Sequence, residues 1–223
     1  MARVGVILGS NAVGPGGGEI AAVAEARGAV VLQRHGSEGY RLPHLIDHPA
    51  NLRSLVEAGC DRVLAVGSVG SLRPELGVGS LVCPDDFIAL QLLVTTFDDA
   101  RGHVTPGFDR EWRGAVLSAW ETSGAGPLGD GGVYWQTNGP RFETPAEIRL
   151  IAAHADLVGM TLAAECIVAG ELGLRYAAVC MVDNLANGIG AQPLSPEELE
   201  RDRAANAARL HDALDAALPE LVG

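Results

Sequence analysis

Polar or very small residues stand repeatedly where an apolar run of this chain stops. The run 4–8 ends in Gly9-Ser10-Asn11, with more glycines close behind. Such a turn can aim backbone N–H groups and a hydroxyl at a phosphate. It is not a P-loop, because no GK[ST] follows, and its spacing is not GxGxxG. Arg34-His35-Gly36 follows the run 29–33 and can supply two donors to one anion. Gly67-Ser68-Val69-Gly70-Ser71 follows the run 62–66. Small residues there let a ligand approach the backbone, or simply make a tight turn. Val158-Gly159-Met160-Thr161 leads from a short strand to an apolar helix, placing Thr161 near a helix N-terminus, where anions are favoured. Asp183-Asn184 ends a strongly apolar run. A carboxamide at that point can read the edge of a heterocycle, or can close a turn by bonding its own backbone.

A sixth stretch, NGPRFETPAEIRL (138–150), joins two signals. Thr144-Pro145-Ala146-Glu147 has the threonine, first-turn proline and glutamate that start a helix. Ahead of it, Gly139-Pro140 turns the chain and delivers an aromatic ring, Phe142, and a carboxylate, Glu143.

Elements that would hold these residues follow from periodicity. Strands are expected at 4–8, 29–33, 62–66, 80–84, 133–137 and 176–182. One helix should start near Pro49, place Leu52, Leu55 and Val56 on one face, and end at Gly59. Another should run from Leu162 to Leu172, apolar nearly all round and therefore buried. The last should open at the capping box Ser195-Pro196-Glu197-Glu198 and reach Leu218. Residues 98–108 read as a long loop. Short apolar runs alternating with amphipathic ones indicate an α/β fold, and without a linker the whole chain, 1–223, reads as one domain.

Composition narrows the partners. Hydrophobic residues make up 48% of 223, net charge is −12, and no run of Lys or Arg occurs, which argues against nucleic acid. An anionic ligand would have to be held by a few well-placed cations and N–H groups. The four cysteines are scattered through apolar runs, so they read as core residues in a reducing compartment, with no metal site expected. No apolar segment approaches the roughly 18 residues of a membrane span, and the first ten residues turn to glycine too early for a signal peptide. A cytoplasmic protein is expected.

Taken together, RHG (34–36), PANLRSLVEAG (49–59), GSVGSL (67–72), TTFDD (95–99), GPRFETPAEIR (139–149), VGMTLAAECIVAGELGLRYAAV (158–179) and VDN (182–184) resemble one family. They are similar to the trimeric purine nucleoside phosphorylases and to the 5′-methylthioadenosine and 5′-methylthioinosine phosphorylases. The resemblance implies a mixed, partly barrel-like sheet flanked by helices, a homotrimer and no cofactor. It also implies phosphorolysis of a purine nucleoside with inorganic phosphate as co-substrate. Ser10, Arg34, His35, Ser68 and Thr161 would grip phosphate. Met160 would pack under the ribose, Phe142 and Glu143 would line the base pocket, and Asn184 would hydrogen-bond the purine. The catalytic assignments fall on Asn184, Glu143 and Thr161. His103 would reach the 5′ end of a nucleoside in a neighbouring subunit.

Glu143 with Asn184 points to 6-oxopurines, since members acting on 6-aminopurines tend to carry aspartate and a small hydroxyl residue at these places. Pro193-Leu194-Ser195-Pro196 is apolar where members preferring a 5′-hydroxyl tend to have a histidine, which favours a methylthio group. The implied substrates are methylthioinosine, inosine or guanosine. The alternatives are a methylthioadenosine phosphorylase and a weak or silent nucleoside-binding relative. Departures from the family pattern bear on that choice. Gly39 stands where a histidine is usual, with Tyr40 or His44 as possible replacements. The segment before Arg34 is about 20 residues short, Asp183 adds charge beside the site, and Leu185 replaces a lysine.

Overall fold

The computed structural model describes residues 3–10, 17–36, 39–190 and 196–223. Its strands are β1 (Arg3–Leu8), β2 (Val30–Gln33), β3 (Cys60–Ser71), β4 (Leu81–Cys83), β5 (Asp86–Ile88), β6 (Gly129–Asp130), β7 (Val133–Gln136), β8 (Leu157–Gly159) and β9 (Arg175–Leu185). The helices are α1 (Gly17–Ala26), α2 (His48–Glu57), α3 (Arg110–Ser123), α4 (Pro145–Ile151), α5 (Leu162–Glu171) and α6 (Pro196–Val222). Ser195 and the apolar stretch 193–195 lie outside the described residues.

β1 runs parallel to β2 and β3, and β3 runs parallel to β9. Parallel strands need cover on both faces, and side-chain alternation divides these residues accordingly. Leu64 and Val66 of β3 with Val179 and Met181 of β9 join one core, beneath α1, α3 and α6. Val63, Ala65, Ala178 and Cys180 face the other way, into a core shared with α2 and α5. Burying each large aliphatic side chain contributes about 1.5–3 kcal/mol. The single α/β domain is therefore held from both sides of the two central strands.

β3 is long enough to change partner. Its first half pairs with β1, whereas Gly70 and Ser71 pair antiparallel with Val158 and Leu157 of β8. The sheet is therefore mixed and curled, in the order β5-β7-β8-β3-β9-β4-β6, with β1 and β2 branching from β3.

Three expected ends are overrun: β3 continues past residue 66 to Ser71, β9 past 182 to Leu185, and α6 past 218 to Val222. The glycines of the 67–71 segment serve close packing inside a strand rather than a turn. A Cβ on Gly67 would meet Leu162 Cδ1 at 2.9 Å, and one on Gly70 would meet Val158 at 3.1 Å. In α2, Asp47 caps the first turn and Leu52 and Leu55 are buried, but Val56 points outward and is 40% exposed. Gly59 follows with φ +83°, a conformation that ends a helix. The capping box of α4 has both halves: Thr144 accepts from Glu147 N–H and the Glu147 carboxylate accepts from Thr144 N–H. Between 98 and 108 the chain is irregular apart from a 3-10 turn at Ala100–Gly102.

Candidate functional site

Ligands of open α/β sheets sit beyond the carboxyl ends of the parallel strands, and a cavity of about 190 Å3 lies there. β1 leads to Ser10, β2 delivers Arg34 and His35, and β3 contributes Ser68. β8 leads through Met160 to Thr161 at the head of α5, β9 contributes Asn184, and the segment after β7 brings Phe142 and Glu143. Every site residue expected from the sequence therefore lines this one cavity except His103. That histidine is exposed at the end of the 3-10 turn and does not join it.

Arg34 is 2% exposed, and most of its donors are spent inside the protein. Nε and Nη2 form a bidentate pair with Glu165, the latter at 2.9 Å, and Nη1 donates to Val66 O at 2.8 Å. Tyr176 Oη donates to the same carboxylate at 2.7 Å. Burial alone would push the Glu165 carboxyl up, but the Arg34 guanidinium overrides this and holds it below its ordinary value. Burial likewise disfavours the charged guanidinium, and Glu165 more than restores it, leaving Arg34 above its ordinary value. A guanidinium has five N–H groups, so Arg34 retains one on Nη1 and one on Nη2 for a ligand. Gly9 makes this placement possible, since a Cβ there would overlap Nη1.

The head of α5 also differs from the simple expectation of free amides. Thr161 N–H and Leu162 N–H point at Tyr134 Oη, at 3.1 and 3.4 Å, and Ala164 N–H donates to Gln136 Oε1 at 3.0 Å. The Thr161 hydroxyl does not cap the helix, so it remains available at the positive end of the dipole. Ser68 is differently placed: its hydroxyl donates to Asp183, whose other oxygen accepts from Asn206 Nδ2 of α6 at 2.8 Å. Ser68 thus lines the cavity with its proton turned away from it. Asp183 is fully buried and stands behind the cavity wall, joined to it through Ser68, as its expected place beside the site implies. The β3–β9 register shifts at this point, with Val69 opposite Val182 and Gly70 opposite Asn184. A bulge of this kind re-aims side chains, and Asn184 reaches the cavity.

Glu143, Asn184 and Phe142 line the same cavity. Glu143 is 9% exposed, and its Oε1 accepts from Thr137 Oγ1 at 2.6 Å, which fixes the carboxylate. Asn184 Nδ2 donates to Leu185 O at 2.9 Å, so the local bond foreseen for this residue forms. One amide N–H and Oδ1 are left over. Phe142 stands 48% exposed beside Glu143. Gly139 has φ +61°, and a Cβ there would meet Met160 Sδ at 2.5 Å, so only glycine lets this segment close on the cavity floor.

Gly39 offers no side chain, but Tyr40 lines the cavity and stacks on His35 at 4.4 Å. His44 and Leu185 are not among the lining residues. Sequence reasoning missed Glu165 and Asn187. A lone carboxylate in the apolar run LAAECIVAG could have revealed Glu165, because a buried charge requires a partner. Asn187 carried no comparable signal.

The profile of the phosphorylase superfamily matches residues 9–219, and the chain belongs to that superfamily. It is similar to a probable 6-oxopurine nucleoside phosphorylase of Archaeoglobus fulgidus, 44% identical over 177 residues, covering 79% of this chain and 73% of that one. A probable S-methyl-5′-thioinosine phosphorylase of Methanothermobacter thermautotrophicus is 36% identical over 200 residues, covering 87% and 69%. Among solved structures, methylthioadenosine phosphorylase of Schistosoma mansoni in complex with adenine superposes with a TM-score of 0.82. It covers 98% of this chain and 91% of that one at 21% identity, a likeness of fold.

Proposed function

We propose that the chain is a purine nucleoside phosphorylase acting on a 6-oxopurine nucleoside: methylthioinosine, inosine or guanosine. One observation carries this reading: an arginine and a carboxylate–carboxamide pair line a single cavity. A phosphate oxygen attacks the anomeric carbon as the bond to N9 breaks, and the bonding electrons leave with the purine. The products are the free base and ribose 1-phosphate, or its 5-methylthio analogue. Arg34, His35, Ser10 and Thr161 hold the phosphate below the sugar, so the attack is made from a fixed position. Glu143 accepts from N1–H of the base, and Asn184 donates to N7 or O6, where negative charge develops. Met160 supports the ribose. Phosphate is the co-substrate, and no cofactor enters this chemistry.

A homotrimer would let the exposed His103 segment complete a neighbour's site. Four buried, unpaired cysteines suit the reducing cytoplasm. No helix among the described residues is long and apolar enough to cross a membrane.

The test is to incubate purified protein with methylthioinosine, inosine, guanosine and methylthioadenosine, each with and without phosphate, and to follow free purine. Phosphate-dependent release from the 6-oxo substrates is expected. Release without phosphate would make the protein a hydrolase. Preference for methylthioadenosine would overturn the base assignment, and release from none of them would leave a silent nucleoside-binding relative.

A further inference from the structure

We propose that Asn187 selects a base carrying a 2-amino group, so that guanine-type nucleosides are preferred over hypoxanthine-type ones. This rests on reading the cavity as a purine site. Asn187 lines the cavity, three residues past Asn184, in the turn that follows β9. The turn is held at both ends: Ala186 N–H donates to Ser71 O at 2.8 Å, and Ile189 N–H donates to Ala186 O at 2.9 Å. Gly188, at φ +90°, lets it lie against the start of α4, where a Cβ would meet Pro145 Cβ at 3.1 Å.

The amide is oriented as well. Asn187 Nδ2 donates to Glu143 O at 3.3 Å, which places the residue beside the segment that presents the Glu143 carboxylate. That contact takes one of the two Nδ2 N–H groups, leaving the second N–H and the acceptor Oδ1 for a ligand. Glu143 Oε1 is engaged by Thr137, leaving Oε2 to meet the base.

Matching donors to acceptors identifies the base. A 6-oxopurine brings N1–H to Glu143. Hypoxanthine has no further donor on that edge, whereas guanine adds an exocyclic 2-amino group that can reach Oδ1. Xanthine presents a carbonyl there, which forfeits the bond to Oδ1 and faces the Glu143 carboxylate. Adenine turns the N1 lone pair towards the Glu143 carboxylate, so a second acceptor does not favour it.

The experiment titrates the wild-type protein and Asn187→Ala with guanine and with hypoxanthine in phosphate buffer by calorimetry, then compares kcat/KM for guanosine and inosine. One added hydrogen bond gives roughly a tenfold preference, so wild type should bind guanine about tenfold more tightly than hypoxanthine. Asn187→Ala should bring that ratio close to unity. If the side chain only staples the turn to Glu143 O, the substitution would lower thermal stability and leave the ratio untouched, and the proposal would fail. A wild-type preference for hypoxanthine would also overturn it, without needing a folded variant. Binding of neither base would instead overturn the purine-site reading on which it rests.

Discussion

Replacing Glu165 with glutamine tests the electrostatic centre of the site. The carboxylate accepts two bonds from Arg34 and one from Tyr176, in a position with no exposure. A carboxamide keeps one acceptor oxygen but turns an N–H towards a donor, and leaves the Arg34 charge unmatched. Removing one partner of a buried pair costs about 3–5 kcal/mol. For a chain of this length each kcal/mol moves Tm by about 2–4 °C, so Glu165→Gln should lower Tm by about 6–20 °C. Differential scanning calorimetry reads this directly, and the KM for phosphate should rise because the arginine fork has lost its anchor. The double variant Arg34→Met/Glu165→Leu should recover much of the stability, since well-packed apolar replacements of buried pairs are often neutral, while phosphorolysis is lost. A Tm for Glu165→Gln within about 2 °C of wild type would refute the account.

Acidification should act in two stages. Burial holds His48 below 6.5 despite the nearby Glu165 carboxylate, so the unfolded chain takes up a proton first and stability falls as pH drops from 6.5; His48→Gln should remove this stage from a Tm–pH profile. Glu165 is held below 4.5, so its contribution is complete above that pH and is lost as pH falls through its lower folded value. Gly9→Ala should displace Arg34 Nη1, whose neighbourhood it would invade, and raise the KM for phosphate about 10- to 100-fold, the worth of a charged hydrogen bond. Asn184→Asp presents a carboxylate to the base and should shift the kcat/KM ratio towards 6-aminopurines; an unchanged ratio would remove Asn184 from the base edge.

Much of the site was legible because its residues follow apolar runs, and strand ends converge in an α/β sheet. The capping box at Thr144 and Glu147 and the buried character of α5 were likewise visible from spacing alone. What periodicity could not show was the strand continuing through Gly67-Ser68-Val69-Gly70-Ser71. Glycine reads as a break until its neighbour, here Leu162, is known. β6 has only two residues, too few for a pattern. α3 was readable and overlooked: Asp109 caps it, Trp112, Val116, Ala119 and Trp120 form its buried stripe, and Gly124 ends it. The role of Asp183 depended on Asn206, 23 residues away on α6, a pairing that local spacing does not encode.

The Arg34–Glu165 pair also decides how an anion finds this site. A guanidinium already matched by a carboxylate projects little field, and the chain as a whole carries −12. On the proposed reading, phosphate would approach against a repulsive background and be recognised at contact, by the two remaining Arg34 N–H groups together with His35, Ser10 and Thr161. Added salt shortens the reach of that repulsion, to about 8 Å at physiological ionic strength. Phosphate capture should accordingly quicken as inert salt is added, the reverse of enzymes that draw their anions in from a distance.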